Sequence, residues 1–234
     1  MATLSDLTRT LANATGRPEK SIVVIARSLR EAGLISTGGR GRGGAQMSYV
    51  DAANFLLGVG SPGDHTKAAR TVHQINILEL DGYAAFKLLN HLDFQAGPAD
   101  DLSPLGIKSG QSPTETLALL MEHYAGDSAP APDGKFSEVI SRPWFTLQPD
   151  LRPSSIYLSV THGRNGYSAQ MLVSLVGGDE VRLDFRESEL WLLTGYPPRE
   201  TDRLKGHSFT GRLDSTTIHD VIECVRFSAQ TREV

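Results

Sequence analysis

Apolar positions recur at helical spacing through the first sixty residues. Leu4, Leu7 and Leu11 fall on one face, Thr3-x-x-Asp6 has the form of a capping box, and Gly16 stands where that helix should stop. Pro18 suits the start of a second helix. No breaker follows between Glu19 and Ala32, and Gly33 occupies a C-terminal glycine position. Residues 36–46, STGGRGRGGAQ, have no periodicity and read as a loop. Ser48-x-x-Asp51 opens a third helix over 48–58, to which Val50, Phe55, Leu56 and Val59 give apolar surface.

Ser61-Pro62-Gly63 is read as a boundary. Two helices are expected beyond it, at 65–80 and 83–93, divided by Asp81-Gly82, and then a loop over 96–111. Ser112-Pro113-Thr114-Glu115 joins a capping box to a proline at the first helical position. Leu117, Leu120, Met121 and Tyr124 line one face behind it, and Gly126 closes the helix. DSAPAPDG, residues 127–134, is a short linker. The period then changes to two. Ile156, Leu158 and Val160, then Met171, Val173 and Leu175, then Val181, Leu183 and Phe185 predict a three-stranded meander with turns at 163–166 and 177–179. A final helix carries Ile218, Val221, Ile222 and Val225 as one stripe.

The expected fold class is therefore α+β. A helical head spans 1–60, and a helical middle region that could mediate dimerisation spans 61–126. An α+β C-terminal domain of unassigned role, built from a meander and a final helix, spans 135–234. The 234 residues suffice for a sizeable core, and 39% hydrophobic with 21% charged residues is an ordinary globular balance. No run of 18 apolar residues suggests a membrane span, and Met1 to Arg9 has no secretory character. The lone Cys224 rules out an internal disulfide framework and a cysteine-clustered zinc site. These features suit a soluble, cytoplasmic chain.

Charge is unevenly placed. Residues 1–47 hold Arg9, Arg17, Lys20, Arg27, Arg30, Arg40 and Arg42 against Asp6, Glu19 and Glu31, seven against three, a net of +4. The rest holds 16 basic and 24 acidic residues, a net of −8. A basic head on an acidic body points to an anionic partner, with nucleic acid the commonest, unless the cations merely share a solvated face.

On a wheel of 100° per residue, Ile22, Ile25, Ala26 and Leu29 gather on one side of the second helix. Lys20, Val23, Val24, Arg27, Arg30 and Glu31 take the other. Cations can meet phosphates or guanine edges in a major groove, and valine methyls can pack on thymine methyls. The alternative is that Val23 or Val24 packs on a neighbouring helix or on a dimer partner.

The segment GRPEKSIVVIARSLREAGLI, residues 16–35, resembles the second and third helices of winged helix-turn-helix DNA-binding regulators. The resemblance covers roughly residues 4–58 and implies a recognition helix over 18–33. Glu19, Lys20, Ser21, Val23, Val24 and Arg27 would then approach DNA. REAGLISTGGRGRGGAQMS followed by DAANFLL also resembles regulators of prophages and mobile elements. The helix that usually comes first in that pattern has no counterpart before Leu4, and the 48–58 helix would take its place. The wing would be the 36–46 Gly/Arg loop, with Arg40 and Arg42 entering a minor groove, or else that loop is a plain solvated connector.

Other chemistry finds little support. The Gly-rich loop follows a helix rather than a strand and has no GK[ST], which fails the context for nucleotide binding. The seven histidines form no H-x-x-x-H, and G-x-S-x-G is absent. No catalytic residue, metal site or cofactor is expected. Trp144, Phe145, Tyr157, Tyr167 and Trp191 supply core, a ligand pocket or a dimer face, with core the leading reading.

The function expected from sequence is a sequence-specific, double-stranded DNA-binding transcriptional regulator of repressor type, a homodimer and not an enzyme. Its site residues are Arg17, Lys20, Ser21, Val23, Val24, Arg27, Arg30, Arg40 and Arg42. The alternative is a protein-interaction module of a phage or mobile element whose basic head docks an acidic partner. Operator, regulated genes and effector are not readable from sequence.

Overall fold

A computed structural model describes residues 2–37, 45–87, 94–98, 102, 106–126, 153–163, 166–175, 179–186 and 209–230. Within them run α1 (Leu4–Thr15), α2 (Glu19–Glu31), α3 (Tyr49–Gly60), a single 3-10 turn (His65–Lys67), α4 (Ala68–Ile75), β1 (Glu79–Lys87) and β2 (Phe94–Pro98). α5 (Pro113–Ala125), β3 (Pro153–Gly163), β4 (Gly166–Leu175), β5 (Asp179–Arg186), β6 (Phe209–Leu213) and α6 (Ser215–Gln230) complete the described elements.

The three expected capping boxes each start a helix. Thr3, Ser48 and Ser112 each accept an N–H from the residue three places on, and Asp6, Asp51 and Glu115 return the bond to the cap backbone. Pro113 sits in the first turn of α5, and Gly16 and Gly126 end α1 and α5 in the left-handed region. Pro18 stands at the N-cap of α2 instead of inside its first turn.

All six strands form one antiparallel sheet in the order β2-β1-β5-β4-β3-β6. Alternation places Ile156, Leu158, Val160, Ala169, Met171, Val173, Val181, Leu183 and Phe185 on one buried face. The helices cover that face. α3 is buried on every side from Asp51 to Gly60 and packs on α2, α4, α5, α6 and β3. The hydrophobic cluster runs from Ala2 to Val225 and spans both sides of the boundary expected at residue 61.

The architecture is mixed, with an N-terminal helical region and a C-terminal antiparallel sheet, as the expected α+β class requires. Two parts of the expectation need correction. Where a helix is expected from residue 83, strand β1 runs through to Lys87, so the middle region is not all helical. β1 lies between β2 and β5, and its ladder with β5 shifts between Leu80 and Gly82. A Cβ at Gly82 would lie 2.9 Å from the Gly97 carbonyl oxygen of β2, so Asp81-Gly82 marks a close strand approach and not a break between helices. The stretch expected as a loop over 96–111 likewise begins inside β2. The meander β3-β4-β5 forms as expected, but as the centre of a sheet completed by β1, β2 and β6.

Aromatic residues are divided between the faces. Phe185 is in the core, whereas Tyr157 lies between the inward Ile156 and Leu158 and is 41% exposed on the opposite face. Strand alternation thus overturns core burial as the leading reading of Tyr157. Trp144, Phe145 and Trp191 lie outside the described residues.

Candidate nucleic-acid interface

α1 and α2 are joined by the short Gly16–Pro18 connection, and α2 divides sharply along its length. Ile22, Ile25 and Leu29 are completely buried and Ala26 nearly so. They press on α3 at Gly58, where a Cβ would come within 3.1 Å of Ile25 and 3.2 Å of Leu29. This close seat fixes the roll of α2 and so decides which side chains face outward. Val23 is 48% exposed and Val24 40%, and Lys20, Arg27 and Arg30 are exposed with them. Two open valines thus stand beside three cations on one flank of a helix, although valine is only a middling helix former. Ser21, at the edge of this flank, is half-buried.

The charge on the flank is moderate. The Arg27 Nε lies 2.7 Å from the Glu31 carboxylate, one helical turn on. That hydrogen bond, and then the Glu31 charge, hold the guanidinium above its ordinary value. Lys20, Arg27 and Arg30 against Glu19 and Glu31 leave α2 with a net of +1.

Arg17 is engaged elsewhere. Its Nη1 donates to the Val59 carbonyl at 2.8 Å, which places a cation at the C-terminal end of α3, where the helix dipole is negative. The side chain is half-buried, so it fastens the turn before α2 to the central helix.

Asp51 joins the chain after α2 to the start of α3. The buried Asp51 carboxylate accepts the Ser36 N–H at 2.7 Å and the Ser36 hydroxyl at 3.1 Å. It also accepts the Ser48 N–H at 2.8 Å and the Ser48 hydroxyl at 2.9 Å. One side chain therefore links Ser36 to Ser48 and caps α3. Beside it, the Met47 N–H donates to the Ala2 carbonyl at 2.9 Å. Arg40 and Arg42, with the wing assigned to them, lie outside the described residues. The 48–58 helix does form, but as the buried centre of the helical layer.

Sequence reasoning missed three contacts that shape this surface: Arg17 with Val59, Ser36 with Asp51, and Ser28 with the 3-10 turn and α4. Only the Asp51 capping spacing gave a hint of any of them. On the far face of the sheet, a shallow depression of about 300 Å³ is lined by Tyr157, Ser159, Gln170, Leu172, Arg212 and Asp214, among others. Burial pushes the Cys224 thiol above its ordinary value, against a smaller opposing effect of Thr10, which suits a packing residue. No described helix is long and apolar enough to cross a membrane.

The chain matches no protein-family model, and no curated protein or solved structure is significantly similar to it.

Proposed function

We propose that this chain is a sequence-specific, double-stranded DNA-binding transcriptional regulator of repressor type that acts as a homodimer. One observation carries the reading. The flank of α2 bearing Lys20, Val23, Val24, Arg27 and Arg30 lies open, while its other side is locked in the core by Ile22, Ile25 and Leu29.

In this reading α2 enters the major groove. Lys20, Arg27 and Arg30 meet phosphates, and Ser21, Val23 and Val24 touch base edges. The loop after α2, held at its neck by Asp51, carries Arg40 and Arg42 to the flanking groove as a wing. Arg17 reaches phosphate only by leaving the Val59 carbonyl, so its contribution is the smallest of the set. One short helix reads few base pairs, and two copies about a two-fold axis would read a palindrome.

The test is selection of bound duplexes from a randomised pool with the full-length protein. The reading expects one enriched, two-fold symmetric motif. It also expects log affinity to fall with log salt at a slope of about −5 or steeper, for at least six phosphate contacts per dimer. A pool that stays random, with binding insensitive to salt, refutes it.

A second reading is favoured by the Arg27–Glu31 pair, which lowers the cationic character of α2 beside two exposed valines. There the same flank docks an acidic protein segment with apolar side chains. Tight, salt-insensitive capture of such a peptide, with no DNA enrichment, selects it.

A further inference from the structure

Ser28 ties a second cationic element to α2. Its hydroxyl donates to the Thr66 carbonyl at 3.3 Å and accepts the Ala69 N–H at 3.2 Å. The 3-10 turn His65–Lys67 and the first turn of α4 are thus bound to α2 through one side chain. α4 buries Ala68, Thr71, Val72 and Ile75 and turns Arg70, His73 and Gln74 to solvent.

Arg70 has no side-chain hydrogen bond or ion pair among the described residues. Lys67 is only loosely matched. Its Nζ stands 3.9 Å from Asp64, with the two side chains 67% and 52% exposed. The Asp64 Oδ1 accepts the Thr66 N–H at 2.9 Å and the Thr66 hydroxyl at 2.8 Å, and its Oδ2 is the oxygen that faces Lys67. Two exposed cations, against the one carboxylate of Asp64, are therefore carried on a backbone segment tied to α2.

We infer that Lys67 and Arg70 form a second phosphate-gripping element, set against the proposed recognition helix by Ser28. The inference rests on the regulator reading and adds contacts to it. α2 alone has a net of +1 among its own residues, because Arg27 is matched by Glu31. Duplex DNA presents one negative charge per about 1.7 Å of axis, so a neighbouring pair of cations finds phosphates along the same backbone. Tying the backbone that carries the pair to α2 before binding avoids the entropy of ordering that segment at the moment of contact. Ser28 acts as a positioning residue and touches no DNA.

The experiment is fluorescence anisotropy with the full-length protein and a labelled random-sequence duplex of about 30 base pairs, titrated between about 50 and 200 mM salt. Lys67→Ala/Arg70→Ala should lower the steepness of the salt dependence by about 2 per bound protomer and weaken binding roughly tenfold, equally on all sequences. Both side chains are exposed, so an unchanged thermal midpoint should confirm that the fold is kept. Ser28→Ala should lose part of the same slope, and Ser28→Thr, which keeps the hydroxyl, should restore it. A full wild-type slope in the double variant overturns this inference and leaves the regulator reading standing. A wild-type protein without salt-dependent binding overturns the regulator reading and this inference with it.

Discussion

The Asp51 carboxylate accepts the Ser36 backbone N–H at 2.7 Å, across 15 residues of chain, while its second oxygen caps α3 through Ser48. The same group that starts the central helix also joins Ser36, after α2, to Ser48, before α3. Asp51→Ala removes the acceptor of four donors at a site only 5% exposed and should cost on the order of 3 kcal/mol. Asp51→Asn keeps an acceptor oxygen and should cost clearly less. Urea unfolding midpoints of the three proteins measure this, and equal losses in the two variants would show that the carboxylate is not the clamp.

Val24→Ala tests the proposed base reading apart from stability. Val24 is 40% exposed and β-branched in a helix, so Val24→Ala should leave the unfolding midpoint within about 0.5 kcal/mol of wild type. The same substitution should change which base is preferred at one position of a selected duplex, with little effect on affinity for random DNA. An equal affinity loss on every sequence contradicts base reading by Val24.

What sequence showed and what it hid follow the range of the contacts. Thr3 with Asp6, Ser48 with Asp51 and Ser112 with Glu115 act over three residues, so their spacing nearly dictates their geometry. The open flank of α2 follows from the helical period and the burial of Ile22, Ile25 and Leu29. β1 was hidden because Ala84 and Ala85 tolerate a helix, while the partner that makes them a strand, β5, begins at Asp179. Non-local pairing overrides local preference there. β6 is five residues long and has Gly211 at its centre, which leaves almost no alternation to detect. The bonds of Arg17 with Val59 and of Ser28 with Ala69 cross 42 and 41 residues, and no periodicity announces them.

Acid should loosen two helix starts. Hydrogen bonds from the Thr3 hydroxyl and then the Thr3 N–H hold Asp6 below its ordinary 3.8. The Thr217 N–H and then the Thr217 hydroxyl do the same for Asp214 before α6. A carboxyl depressed on folding binds fewer protons in the folded state than in the unfolded chain. Its contribution is complete above the unfolded value and disappears as pH falls through the folded value. Stability should therefore drop below about pH 4, and Asp6→Asn/Asp214→Asn should flatten that limb. Both groups are partly solvated, so each effect stays under about 1 kcal/mol. Denaturant midpoints taken from neutral pH downward test this. An acid limb of the same steepness in the double variant rules out these caps as its source.

The contact between α3 and the sheet edge has no tolerance for added volume. A Cβ on Gly211 would fall on the Gly60 carbonyl oxygen, and the Pro62 nitrogen would stand only 3.3 Å from it. Both obstacles are backbone, so no side chain can turn aside. Gly60 differs, because a Cβ there meets the flexible Leu213 side chain at 3.1 Å. Gly16 differs again. Its φ of 65° is left-handed, yet nothing lies within 4 Å of an added methyl, so alanine there costs only conformational strain of about 1 kcal/mol. Gly211→Ala should lower stability by on the order of 3 kcal/mol or more, because β6 must part from β3 or the end of α3 must move. Gly60→Ala should fall between the two. Urea midpoints rank the three variants, and a Gly211→Ala protein as stable as Gly16→Ala would mean that α3 and β6 do not meet as closely as described.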